Sequence, residues 1–134
     1  MRFAVLSTSN IEPLKKYIPG VNANDLYFAG YNQHIAELLN LSSSLHAEKF
    51  DVVFLHLEAE ELFRTEQSQL NKSAAPLAPL EEALTAINQY LKSNPTCCFI
   101  ISSLCFPPFH YITYLDSDPL YSLTAIEEEA NSRL

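Results

Sequence analysis

Residues 51–57 read Asp-Val-Val-Phe-Leu-His-Leu, and this run constrains the fold more than any other part of the chain. Five of its seven residues are apolar, and they do not alternate with polar residues. A strand with one solvent-exposed face alternates, whereas a strand covered on both faces is apolar throughout. We therefore predict a strand buried between layers of helices. Residues 97–101, Cys-Cys-Phe-Ile-Ile, predict a second strand of the same kind.

Predicted strands and helices alternate along the chain. Two further short strands are expected at 2–6 and 26–29. The expected helices begin near Ser9, after Gln33, at Glu58, near Leu80, and at Ser122 or Thr124. Ser9 and Glu12 have the spacing of a capping box. The alternation predicts βαβ units with right-handed crossovers, so we expect a three-layer α/β fold with an open parallel sheet of the Rossmann or flavodoxin type.

The length of 134 residues fits a single α/β domain, residues 1–134. The predicted sheet ends with a helix and no later strand, which suggests the N-terminal domain of a longer protein, truncated before its last strand. No apolar run approaches the roughly 20 residues of a membrane span. The first strand turns polar at Ser7, too early for a secretory signal. We therefore expect a cytoplasmic protein that does not enter a membrane.

Charge and cysteine content exclude further classes of protein. The net charge is −8, and the basic residues are scattered apart from Lys15-Lys16, so no basic stripe could neutralise nucleic acid or anionic lipid. The three cysteines, Cys97, Cys98 and Cys105, are crowded around one predicted strand. Their number and spacing suit neither a disulfide framework nor a four-ligand zinc site, so we predict free thiols.

Ligands of open parallel sheets bind at the carboxyl ends of the strands, so four short segments could line a site. The residues that we expect to face a ligand or a partner are Ser7, Thr8, Ser9, Asn10, Gly30, Tyr31, Asn32, Gln33, Glu58 and Ser102. The aromatic ring and two amides at residues 31–33 could hydrogen-bond a ligand or anchor their own loop, and both interpretations stay open.

Most catalytic chemistries lack the residues that they need. Gly20 and Gly30 are the only glycines, which excludes a dinucleotide-binding turn and a phosphate-binding P-loop. A receiver domain would need acidic residues after the first strand, where Ser7-Thr8-Ser9-Asn10 stands instead. Neither of these nucleotide-binding types nor a receiver domain is therefore expected.

A serine hydrolase is harder to dismiss. Ser7 or Ser9 could serve as a nucleophile, but no histidine stands at a recognisable spacing to act as general base. His56, inside a predicted buried strand, is better explained as a core residue, and helix capping explains both serines. The carboxylates at residues 58–61 could bind a metal, yet the charged first turn of a helix accounts for them. We assign no catalytic residue and no metal ligand.

Several short motifs, taken in order, resemble the N-terminal domain of FkbH-like proteins. They are Leu6-Ser7-Thr8 with Pro13-Leu14, Gly30-Tyr31-Asn32-Gln33 running into Glu37-Leu38-Leu39-Asn40, Ser44-Leu45, residues 50–55 leading to Glu61-Leu62, and Tyr121-Ser122-Leu123 with residues 131–134. The resemblance implies an SGNH-hydrolase-like, Rossmann-type domain joined in cis to a catalytic domain of the haloacid dehalogenase superfamily. It also implies an acyl carrier protein as a partner, which receives a phosphoglycerate-derived unit.

The resemblance places the magnesium-dependent chemistry outside this chain. The Asp-x-Asp-x-Thr type of motif on which it depends occurs nowhere in the sequence, so no cofactor is expected here and magnesium is expected in the partner domain. The SGNH serine motif is also altered, since Leu6-Ser7-Thr8-Ser9 stands where Gly-Asp-Ser would be. The resemblance therefore implies a non-catalytic accessory domain. The alternative is an SGNH-type serine esterase completed by a missing C-terminal segment.

Overall fold

The computed structural model describes residues 1–18, 20, 22–62, 77–104 and 123–134. Its strands are β1 (Phe3–Ser7), β2 (Leu26–Phe28), β3 (Val52–His56) and β4 (Cys98–Ile101). Its α-helices are α1 (His34–Leu39), α2 (Ser44–Glu48), α3 (Ala59–Leu62), α4 (Ala78–Ser93) and α5 (Leu123–Arg133). Short 3₁₀ segments cover Glu12–Tyr17 and Ala23–Asp25.

The four strands form one open sheet in the order β2-β1-β3-β4, and every neighbouring pair is parallel. The predicted α/β fold class is therefore confirmed. The chain leaves β1 toward one edge of the sheet and leaves β3 toward the other. Strand order thus reverses between β1 and β3, and in open parallel sheets this reversal point is where ligands bind.

The hydrophobic core lies on one face of the sheet. Ala4 and Leu6 of β1 stand opposite Val53 and Leu55 of β3, and all four side chains are buried. Helices α1, α2, α4 and α5 pack over this face. They contribute Leu38, Leu45, Leu80, Ala86, Ile87, Tyr90 and Ala130 to the same cluster. The apolar runs at 51–57 and 97–101 are strands, as their composition predicts.

The second face of the sheet is covered only in part. Phe54, between two fully buried neighbours on β3, is 36% exposed, and Ile100 on β4 is 46% exposed. The continuous apolar run predicts a strand covered on both faces, and at Phe54 and Ile100 the cover is less complete than expected. The connection after β1 also differs from the expectation, because the 3₁₀ segment Glu12–Tyr17 replaces the predicted α-helix and buries none of its side chains.

Other expectations for the connecting segments have mixed outcomes. The capping box is wrong, because Ile11 is the N-cap of the 3₁₀ segment and no side chain caps it. Helix α2 was not predicted.

Cys97 and Cys98 are free thiols. Cys105 and Ser122 lie outside the described residues. No helix in the described ranges is long and apolar enough to cross a membrane.

Candidate functional site

Thr8 joins the two central strands at the point where strand order reverses. Its backbone N–H donates to the carbonyl oxygen of His56 over 3.1 Å, and its Oγ1 accepts from the backbone N–H of Glu58 over 2.8 Å. The side chain is fully buried. Thr8 thus supplies the acceptor for this partly buried backbone N–H. We therefore assign Thr8 to holding the two loops together rather than to ligand contact.

Ser102 has the same kind of role at the end of β4. Its Oγ accepts a hydrogen bond of 3.1 Å from the backbone N–H of Leu57, and its own N–H donates to the carbonyl oxygen of Leu55 over 2.9 Å. These two bonds continue the β3–β4 pairing past the last strand residues. The hydroxyl group thus satisfies the backbone of the neighbouring loop.

Ser7 and Ser9 form a turn at the end of β1. Ser7 Oγ accepts from the backbone N–H of Ser9 over 3.0 Å and lies 3.2 Å from Ser9 Oγ. Neither serine caps a helix, so that prediction is wrong, because the hydroxyl of Ser7 bonds the local backbone instead. Ser7 stands opposite His56 in the parallel register and is 4% exposed. No hydrogen bond within the described residues joins the His56 ring to either hydroxyl.

The loop between β2 and α1 is anchored to α3. Tyr31 donates its hydroxyl proton to Glu61 Oε2 over 2.7 Å. The Gln33 side chain folds back over Gly30, where an added Cβ would lie 2.8 Å from Gln33 Oε1. Asn32 has a left-handed backbone, with φ of 52°, a conformation that asparagine tolerates better than most residues. Tyr31 and Gln33 thus anchor the loop, and Asn32 is presented by it.

A cleft of about 320 Å³ opens beside this loop, at the carboxyl edge of the sheet. It lies between the N-terminal ends of α1 and α4, with α3 as its third wall. The lining residues are Asn32, His34, Ile35, Glu61, Leu62, Pro79 and Glu82. Two carboxylates, one amide and one imidazole therefore share the cleft with three apolar side chains. The volume is at the lower end of the range for small-ligand sites.

His34 is the most deeply buried polar residue of the cleft wall. It is the first residue of α1, its side chain is 4% exposed, and its Nδ1 has no hydrogen-bond partner. Burial lowers the pKa of His34 below 6.5, because the charged imidazolium loses its hydration. The ring is therefore neutral at pH 7. An unpaired buried nitrogen costs free energy, which makes it an unusual feature in a native fold.

The structure divides the predicted site residues into two groups. Ser7, Thr8, Ser9, Ser102 and the backbone of Glu58 hold the strand ends together, whereas Gly30, Tyr31, Asn32 and Gln33 form and support the cleft wall. Asn10 is exposed at the edge of the sheet. In the described ranges, no group of three histidine, cysteine, aspartate or glutamate residues comes close enough to hold a metal ion.

Of the residues that line the cleft, the sequence analysis named only Asn32 as a site residue, and the polar residues His34 and Glu82 show why others were missed. It set His34 aside for lack of a recognisable spacing, although this residue directly follows the β2–α1 loop, where site residues are expected. Glu82 gives no such signal, because it lies inside the apolar pattern of α4, far from any strand end in sequence. Only the packing of α1 against α4 brings it to the edge of the sheet.

Comparison with known proteins gives a match in structure alone. No protein-family model matches the sequence, and no curated protein matches it. The fold is similar to the crystal structure of the N-terminal part of protein BF1531 from Bacteroides fragilis, which contains a phosphatase domain complexed with Mg. The TM-score is 0.70 at 14% identity, over 99% of this chain and 36% of that one. The likeness establishes the fold, and the chain spans about a third of that structure.

Proposed function

We propose that residues 1–134 are a non-catalytic accessory domain of a longer cytoplasmic FkbH-like protein, where they bind or position a group beside a catalytic domain in cis. The proposal is supported by the hydrogen bonds of the hydroxyl groups at the carboxyl edge of the sheet. The hydroxyl groups of Ser7, Thr8 and Ser102 bond the protein's own backbone, while the cleft between α1, α3 and α4 is lined by other residues. This arrangement favours a binding role for the carboxyl edge over a catalytic role for its hydroxyl groups.

The structural likeness supports the arrangement in cis. The whole chain aligns with about a third of a longer chain that contains a phosphatase domain with Mg. The resemblance to FkbH-like proteins points the same way, since their second domain belongs to the haloacid dehalogenase superfamily. We therefore propose that magnesium and the phosphoryl chemistry belong to that second domain.

The acidic residues of the cleft argue against direct binding of a carrier protein's phosphorylated cargo there. A phosphate-bearing unit would meet the carboxylates of Glu61 and Glu82 in the cleft, and like charges repel. We propose that the carrier protein and its phosphoglycerate-derived cargo contact the catalytic domain, and that the cleft has a different occupant.

The coding frame past Leu134 tests the accessory role. We expect it to encode an Asp-x-Asp-x-Thr motif in the same polypeptide, as in proteins of the haloacid dehalogenase superfamily. A stop codon directly after Leu134, or a downstream domain without the motif, would contradict the proposal.

A serine esterase is the rival, favoured by the register that sets Ser7 opposite His56. Hydrolysis of p-nitrophenyl acetate by the longest natural polypeptide distinguishes the two. We expect the same background rate for wild type, Ser7→Ala and Ser9→Ala. Turnover that Ser7→Ala abolishes, with the urea midpoint unchanged, would establish the esterase instead.

A further inference from the structure

We propose that the partly covered face of the sheet, together with the exposed 3₁₀ segment Glu12–Tyr17, is the surface on which the catalytic domain in cis packs. The inference rests on the proposed function and names the part of this domain that meets its partner. It also gives the chemistry of the partner's surface, which is apolar and acidic. Three features support it: a row of apolar side chains that ends uncovered, the exposed apolar residues of the segment, and a pair of lysines.

One row of apolar side chains crosses all four strands on this face. The parallel register sets Phe28, Val5, Phe54 and Ile100 side by side. Phe28 and Val5, toward the β2 edge, are partly buried, whereas Phe54 and Ile100 are exposed. The uncovered part of the face therefore lies over β3 and β4. All-parallel sheets occur almost only with both faces covered, so we expect a further layer there.

The segment Glu12–Tyr17 extends this apolar surface. The step from β1 to β2 runs opposite to the step from β2 to β3, so right-handed connections place the segment on the opposite face of the sheet from α1 and α2. Leu14, Tyr17 and Ile18 are all exposed there, Tyr17 by 69%. Grouped exposed apolar residues mark an interaction surface, whereas single scattered ones are ordinary.

The charge of the segment is opposite to that of the whole chain. Lys15 and Lys16 are exposed, and no ion pair within the described ranges includes either of them. Lys16 Nζ lies 4.9 Å from the centre of the Tyr17 ring, a contact that leaves its charge without a counter-ion. Glu12 is the single carboxylate in the segment's sequence, whereas the chain has a net charge of −8. A surface with carboxylates beside apolar side chains complements this segment.

A domain in the same polypeptide fits this surface better than a second copy of the chain. In a twofold dimer both copies would present the same lysine pair at the contact, and like charges repel. A covalently linked domain covers the apolar face permanently, because the linker keeps its effective concentration high. This chain aligns with 36% of the structurally similar chain, so that chain has ample length for such a domain.

Carbodiimide cross-linking of the longest natural polypeptide tests the proposal, because this reagent joins a lysine amine directly to a neighbouring carboxylate. The sample mixes unlabelled and ¹⁵N-labelled copies, so mass spectrometry distinguishes links within one chain from links between two. We expect Lys15 or Lys16 to be linked to a carboxylate beyond residue 134 of the same chain. Lys92, exposed on α4 over the other face of the sheet, is the control and should give no such link.

A charge reversal gives a second measurement. Lys15→Glu combined with Lys16→Glu should raise the fluorescence of added anilinonaphthalene sulfonate about twofold or more, since repulsion at the contact uncovers the apolar face. Lys49→Glu combined with Lys92→Glu makes the same charge change at exposed positions elsewhere and should leave the fluorescence unchanged. The proposal is overturned if neither Lys15 nor Lys16 is linked beyond residue 134, if their links join two copies, or if both double variants bind the dye equally. The accessory role would stand in each case, since it fails only on the coding frame or on serine-dependent turnover.

Discussion

Thr8 Oγ1 accepts a hydrogen bond of 2.8 Å from the backbone N–H of Glu58, fifty residues further along the chain. This bond crosses the point at which strand order reverses, and the Thr8 side chain is fully buried there. The loops after β1 and β3 thus form one connected unit. The shape of the carboxyl edge depends on that connection.

Replacing Thr8 by valine keeps the shape of the side chain and removes the acceptor. The Glu58 N–H is then left without its partner, which costs about 1–3 kcal/mol. We expect the free energy of unfolding, measured by urea denaturation, to fall by that amount.

Thr85→Val is the matched control for this substitution. Thr85 is exposed on α4, and its hydroxyl donates to the carbonyl oxygen of Glu81 within the helix. The loss there should stay below about 0.5 kcal/mol. If both variants lose the same stability, Thr8 does not connect the two loops as described.

Asn131 fixes α5 to the segment that follows β4. Its Oδ1 accepts from the Leu104 N–H over 2.7 Å, and its Nδ2 donates to the Leu104 carbonyl oxygen over 2.8 Å. Leu104 is 2% exposed, so Asn131→Ala leaves two buried backbone groups unpaired. We expect the Tm to drop by roughly 5–10 °C.

Asn88→Ala separates this loss from the effect of alanine itself. Asn88 is exposed on α4, and alanine favours a helix at both positions. We expect an unchanged or slightly higher Tm for Asn88→Ala. A Tm for Asn131→Ala within 1–2 °C of wild type, roughly the effect of an ordinary surface change, would contradict the role of Asn131.

Acidification should destabilise the fold through His34. Burial lowers the pKa of His34 below 6.5 in the folded chain, so the unfolded chain takes up a proton first as the pH falls. The free energy of unfolding is then independent of this group above pH 6.5 and decreases below it, down to the lowered pKa. His34→Gln should flatten that slope in urea denaturation between pH 6.5 and 5. An imidazole of His34 that titrates at or above pH 6.5 by NMR would contradict the assignment.

The core was predictable from periodicity. Leu80, Ala83 and Ile87 recur at helical spacing in the sequence and are buried on α4. The continuous run at 51–57 indicates a strand because β-branched and aromatic residues pack well on a pleated surface. It does not indicate how fully each face is covered, since Phe54 is as apolar as its buried neighbours yet is 36% exposed. How far each face of the sheet is covered depends on the segments that connect the strands, and the hydrophobic periodicity of those segments is weak.

The cleft was predictable only in part. Asn32 follows a strand directly, so the general rule for open sheets identifies it. The roles of Thr8 and Ser102 were not separable from those of ligand-binding residues, because a hydroxyl that bonds a distant backbone N–H has the same sequence signature as one that faces a ligand. Glu82 lies on the cleft only because α1 packs against α4, and one sequence does not encode that contact in any local pattern.

The most direct test of the account is amide hydrogen exchange at the carboxyl edge of the sheet in wild type and in Thr8→Val. We predict that the Glu58 amide exchanges faster in Thr8→Val, because the Thr8 Oγ1 acceptor is lost. The Leu57 amide donates to Ser102 Oγ and should change much less. An unchanged exchange rate at Glu58 would contradict the assignment of Thr8 to the protein's own backbone.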